Sequence, residues 1–222
     1  EEPPPARDDD ILLVHTPAYL DKVRRGALTA EELAVLDLPF SPGLAEAAWI
    51  GVEGTIRAAR SALETGLGIH IGGGGHHAYP DHGAGYCVFN DIAIAIRALQ
   101  RQGRILKAMV IDCDVHQGDG TAVIFREEPS VFTCSMHQED LYPEIKQQGD
   151  LDIDAAAQLL GIGQAEVTRR VAAFHQTAGD AIAEVVASPR GAMIEGTQMF
   201  VWEIVREFRK LALAQGIRTG DL

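Results

Sequence analysis

Between residues 44 and 63, apolar side chains recur at Leu44, Ala48, Val52, Ala59 and Leu63, the period of one helix face, with Gly66 placed to close the helix. Two further helices are predicted ahead of it. Thr16-Pro17 offers a cap and a first helical residue for a segment 16–25 that ends near Gly26. Thr29-Ala30-Glu31-Glu32 starts another, stopped by Pro39 and Pro42. Asn90 or Asp91 caps a fourth helix through about Gln102, with Gly103 as its stop. Elsewhere the pattern shortens to apolar runs of strand type at 68–71, 107–113 and 131–136. A helix between the last two starts near Gly120-Thr121 and ends by Glu128-Pro129. The first ten residues, rich in Pro and Asp, are expected to be loosely tethered.

Strands separated by helices imply parallel strands joined by crossovers, hence an α/β fold with a mainly parallel sheet. In such sheets the chemistry gathers beyond the carboxyl ends of the strands. Each predicted strand here runs into a polar cluster: Gly75-His76-His77, Asp112-Cys113-Asp114-Val115-His116, and Ser135-Met136-His137. After Asp154 the pattern becomes Ala-rich and helical, over about 155–160, 164–187 and 197–215. Two parts are therefore expected: an α/β domain over 1–154 and a helical C-terminal segment over 155–222.

Charge sharpens that division. The net charge is −13 and the pI about 4.9. Residues 155–222 hold seven basic and seven acidic residues, so the whole excess falls on 1–154. Such a surface repels nucleic-acid phosphates and anionic lipid and favours cationic or neutral partners. No run reaches the ~18–20 apolar residues that a membrane span needs. The Glu-Glu-Pro-Pro-Pro start lacks the features of a signal peptide, so a cytoplasmic location is expected. Cys87, Cys113 and Cys134 are odd in number and widely spaced, which predicts buried free thiols.

Asp114 and His116 lie at i and i+2, and on an extended segment both would face one ion. Carboxylate oxygen and imidazole nitrogen suit Zn²⁺, and less selectively Fe²⁺ or Mn²⁺. The turn-like Gly118-Asp119-Gly120 returns a further carboxylate to the neighbourhood. Glycines before His76-His77 let the backbone approach a ligand closely. Adjacent histidines beside carboxylates can serve as general acid and base. His15, His70, His82 and His175 have no partner pattern and read as structural or solvated. No Lys-Ser/Thr follows the glycine run, so a phosphate loop is rejected.

In order along the chain come His15-Thr-Pro-Ala-Tyr19-Leu20, Gly73-Gly-Gly-His76-His77-Ala78, Gly85-Tyr86-Cys87-Val-Phe89-Asn90-Asp91, Val110-Ile-Asp112-Cys-Asp114-Val-His116-Gln-Gly118-Asp119-Gly120-Thr121, and Ser135-Met-His137. This series resembles the zinc-dependent histone deacetylase family, its bacterial amidohydrolase members in particular, over roughly residues 11–154. The resemblance implies a three-layer arginase/deacetylase-like fold, here incomplete, and hydrolysis of acetyl-lysine or acetyl-polyamine amides. By that resemblance Asp114 and His116 match two of three zinc ligands. His76 and His77 match the tandem histidines that deprotonate water and protonate the leaving amine, with Asp112 and Asp119 as their respective partners. Gly85 and Tyr86 match the tunnel wall for the acyl-lysine stem. Asp112 and Ser135 match part of a monovalent-cation site that takes K⁺.

The family's later Gly-x-Asp motif, which supplies the third zinc ligand, and its Gly-Gly-Tyr motif, which supplies an oxyanion donor, do not occur in this sequence. Weak zinc binding and low turnover are therefore expected of this chain by itself. Two alternative functions follow: a non-catalytic remnant that acts by binding, and a DNA-binding regulator using a helix-turn-helix-like stretch at 157–171. The sheet edges left without their family partners predict that the tail covers them or that two copies of the chain associate.

Overall fold

A computed structural model describes residues 3–138 and 141–152. Six helices and three strands lie within them: α1 (Asp8–Ile11), α2 (Pro17–Arg25), α3 (Ala30–Leu36), α4 (Pro42–Thr65), α5 (Asp91–Arg101), β1 (Ala108–Asp112), α6 (Asp119–Phe125), β2 (Val131–Ser135) and β3 (Leu151–Asp152). The helix ends follow local chemistry. Thr16 accepts from the Tyr19 N–H with Pro17 at the first helical position, and Gly26 closes α2 in the left-handed region at φ 62°. Thr29 and Glu32 satisfy each other's backbone N–H in a capping box at the start of α3. Ser41 caps α4, so Pro42 begins a helix instead of ending one.

The main core joins α1, α2, α4 and α5. Ile11, Val23, Ile56, Ile94 and Ala98 have no exposed surface, and Phe89 receives the Trp49 ring edge-on at 4.8 Å. Burying each such large side chain stabilises by roughly 1.5–3 kcal/mol. Residues 3–10 are consequently not loose. The Ala6 N–H bonds the Trp49 carbonyl at 3.0 Å, Asp10 is ion-paired with Arg101, and Ala6, Asp10 and Ile11 are buried.

The sheet is parallel, in the order β1-β2-β3, with Ala108 opposite Val131 and Asp112 opposite Ser135. Cys134 and Ser135 then face Leu151 and Asp152 on β3, a short strand that no apolar run announced. A smaller core of Ala93, Val110, Phe125 and Val131 ties the sheet to α5 and α6. The stretch 68–71, expected as a strand, is irregular. Ile69 and Ile71 are 45 % and 75 % exposed, and without a ladder partner among the described residues this apolar run has nothing to hold it extended. The architecture is the expected α/β fold with a parallel sheet flanked by helices. The helical segments and the helix-turn-helix-like stretch expected beyond residue 154, and His175, lie outside the described residues.

Candidate active site

The glycine run is shaped by Asp91. This buried first residue of α5 accepts the Gly74 N–H at 3.1 Å, the Gly75 N–H at 2.6 Å and the Thr55 hydroxyl. Thr55 in turn bonds His70 Nδ1 at 2.8 Å. Its neighbour Asn90 caps α5 and reaches the other side of the histidines, donating to Thr121 Oγ1 at 3.0 Å and to the Ala78 carbonyl at 3.4 Å. One dipeptide therefore pins the backbone before and after His76-His77. A side chain at Gly75 would put its Cβ 2.0 Å from the Phe89 carbonyl, which explains the glycine. His15, read as structural, is buried and accepts the Asn90 N–H at 3.0 Å through Nε2. Burial pulls its pKa down to about 4, against the carbonyls of Tyr79 and Pro80.

Both tandem histidines are buried, with ring centroids 4.0 Å apart. His76 Nδ1 lies 2.6 Å from Asp112 Oδ2, and His77 Nδ1 lies 2.6 Å from Asp119 Oδ1. Carboxylates only accept, so each imidazole donates from Nδ1 and keeps Nε2 as its second site. Burial disfavours the His76 cation. The Asp112 hydrogen bond and the charges of Asp112, Asp114 and Asp119 outweigh it, leaving the pKa above its usual 6.5. Gly118 is required for this pair, since a Cβ there would lie 2.2 Å from Asp112 Oδ2.

Asp114 and His116 do come together, but not on an extended segment. The chain bends after β1, and Asp114 Oδ1 accepts the His116 N–H at 2.8 Å while lying 3.3 Å from His116 Nδ1. An aspartate that can bond the N–H two residues on favours such a turn over strand. The His116 ring stands 6.0 Å from that of His77. The two side chains are about 40 % exposed and chemically suited to a divalent ion, yet no group of three or more such donors occurs among the described residues. The donor set fits two positions of a zinc shell.

Gly85 adopts φ 47°, and a Cβ there would sit 2.8 Å from the His77 ring and 2.9 Å from Tyr142. Tyr86, itself at φ 68°, is 64 % exposed beside it. Ser135 accepts the Gly118 N–H at 3.4 Å and bonds His137 Nδ1 at 3.0 Å. It shares a small cavity with Asp112, Thr121, Thr133 and Asp152. All three cysteines are free thiols whose pKa burial pushes up, to about 11 for Cys87 and Cys113 and about 12 for Cys134.

Sequence reading missed several members of this site. Tyr142 packs edge-on against His77 at 4.8 Å and stands 6.0 Å from His116. Gln117, buried between the metal-type pair and α6, bonds the Gln147 backbone and Asp152 and so docks β3. Only the position of Gln117 between His116 and Asp119 could have flagged it. Tyr142 lies 65 residues from His77 in the sequence, with no local signal.

Paired His–Asp dyads thus stand beside an Asp/His donor pair in an α/β fold with a parallel sheet. Residues 1–187 match the histone deacetylase domain, and the chain belongs to that family. The match runs further than the motifs at 11–154. An uncharacterized protein of Picosynechococcus is 46 % identical over 141 residues, which is 64 % of this chain and 47 % of that protein. The acetoin utilization protein AcuC of Bacillus subtilis is 36 % identical over 148 residues, 62 % of this chain and 38 % of its own. A crystal structure of an HDAC homolog complexed with SAHA superposes with a TM-score of 0.57 at 25 % identity, over 67 % of this chain and 45 % of the other. The chain thus spans less than half the length of these relatives.

Proposed function

We propose that this chain carries the acid–base part of a zinc-dependent deacetylase site acting on acetyl-lysine or acetyl-polyamine amides. The observation that carries this reading is the geometry of two His–Asp pairs whose buried imidazoles lie 4.0 Å apart, with the His77 ring 6.0 Å from that of His116. Asp114 and His116 would hold zinc, which when bound polarises an amide carbonyl and acidifies water. The raised pKa of His76 favours a proton on that ring, while Asp119 fixes His77 with Nδ1–H and Nε2 available. Two adjacent imidazoles so arranged can take a proton from water and return one to the leaving amine. Gly85 leaves room beside His77, and Tyr86 and Tyr142 offer aromatic walls for an acyl-lysine stem. Asp112 and Ser135, which line one small cavity, would take K⁺.

The net charge of −13 supports a cationic lysine peptide or polyamine as partner over nucleic acid. No helix among the described residues is long and apolar enough to cross a membrane; a cytoplasmic setting accords with the three free thiols. We place the division of the chain at 1–154 and 155–222, and a second copy of the chain is the partner proposed for the sheet edges left unpaired among the described residues.

The two-donor set among the described residues favours a second reading, in which the chain binds its ligand with little turnover. Zinc content after dialysis, measured beside turnover of an acetyl-lysine reporter, tests both. Little retained zinc and low turnover are expected, because a missing oxyanion donor alone costs ~10²–10³ in rate. Residual activity should vanish in His77→Ala and Asp114→Ala. Stoichiometric zinc with fast turnover would mean that a residue outside the described ones or a second copy supplies the third ligand, and would retire the binding-only reading.

A further inference from the structure

The His77–Asp119 pair has a third member. Tyr79 donates its O–H to Asp119 Oδ2 at 2.8 Å, while His77 Nδ1–H occupies Oδ1 at 2.6 Å. Asp119 is 2 % exposed, so these two donors rather than bulk water satisfy its two oxygens. The phenol is held in turn. Its ring stacks on His82 at 4.5 Å with an interplanar angle of 14°, and the Tyr79 N–H bonds the His82 carbonyl at 2.9 Å. His82 Nδ1 is itself 2.7 Å from Asp81. Burial, then the charge and hydrogen bond of Asp119, push the Tyr79 pKa above its ordinary value, so the phenol stays a donor at neutral pH. Asp112, the partner of His76, differs in kind: its second oxygen takes the backbone N–H of Asp114 at 3.0 Å.

We propose that Tyr79 is a positioning residue for His77, its O–H locking the Asp119 carboxylate and drawing off part of the charge that faces the imidazole. A carboxylate with one buried donor can swing about its terminal torsion; a second donor on the other oxygen removes that freedom. It also divides the acceptor strength, so the His77 hydrogen bond is weaker with the phenol present than without it. His77 then keeps its proton on Nδ1, with Nε2 in a fixed direction. The consequence for turnover rests on the hydrolase reading above. The relay itself requires neither metal nor substrate.

Low-field proton and ¹⁵N NMR of the whole 222-residue chain, labelled in histidine, tests it. Tyr79→Phe keeps the ring and its stack on His82 and deletes only the hydroxyl. The His77 Nδ1–H signal, assigned by its loss in Asp119→Asn, should move downfield as Asp119 becomes the stronger acceptor. Tyr79→difluorotyrosine, a more acidic phenol and a better donor, should move the same signal upfield. The His76 Nδ1–H signal should stay in place in both. An unmoved His77 signal in both variants, or equal displacement of the two histidine signals, would overturn the proposal. A chain that shows these shifts but never turns over retains the relay and loses the hydrolase reading. Turnover without the shifts does the reverse.

Discussion

His76 and His77 are sequence neighbours with chemically identical partners at the same 2.6 Å distance, yet they belong to different parts of the molecule. His76 is tied through Asp112 to the end of β1, and the second Asp112 oxygen holds the Asp114 N–H at the head of the metal-type bend. Any movement of that bend reaches His76 directly. His77 is tied through Asp119 to the start of α6 and through Tyr79 to the loop that follows the histidines. The Asp112 side chain is 13 % exposed and that of Asp119 3 %. One pair is thus coupled to the donor loop and partly wet; the other is dry and braced by a phenol. Two equal hydrogen bonds need not respond equally to the same perturbation.

Removing each carboxylate should give the largest contrast. Asp119→Ala leaves two buried donors, His77 Nδ1–H and Tyr79 O–H, without an acceptor, an expected loss of roughly 2–5 kcal/mol. Asp112→Ala, nearer to water, should cost about half as much. Urea unfolding of the two variants measures the difference, and equal losses would erase the distinction between a dry and a wet pair.

Acid should act next, and with opposite signs on different histidines. His15 holds the Asn90 N–H, and its folded pKa near 4 lies below the unfolded 6.5. Between those values the unfolded chain binds the extra proton, so stability falls as pH drops from 6.5 to 4, by up to about 3 kcal/mol, and levels off below. His76 runs the other way, since its raised pKa gives a contribution present below 6.5 and lost as pH rises through the folded value. Histidine NMR should show His76 titrating above 6.5 and His15 near 4.

Gly118→Ala should disturb His76 alone. Its Cβ would lie 2.2 Å from Asp112 Oδ2 and 3.3 Å from His76 Nδ1, an overpacking that typically costs ~1–3 kcal/mol. The His76 low-field proton should shift while that of His77 keeps its position. Thr29→Ala is the smallest change, removing a capping box remote from both pairs for about 1 kcal/mol. It should lower the thermal midpoint and leave both histidine signals unmoved; movement of either would mean that global loosening mimics the local effects.

The sequence by itself determined the helices whose ends are written locally. Thr16-Pro17, Thr29 with Glu32, Asn90 and Gly66 each act within a few residues of where they stand. The strands β1 and β2 were likewise legible as continuous apolar runs, although in β1 Val110 alone is buried and Met109 is 42 % exposed. The histidines and carboxylates of the site were legible as types and as neighbours at strand ends. Tertiary structure decided what they do to one another. The run at 68–71 has strand composition but no ladder partner among the described residues, whereas Leu151-Asp152 has little signal but pairs with Cys134-Ser135. Asp114-Val115-His116 folds into a bend because a side-chain hydrogen bond to the backbone wins over extension. Tyr79 finds Asp119 forty residues away, and Tyr142 finds His77 across sixty-five. Such contacts depend on burial and direction in three dimensions, which no local spacing encodes.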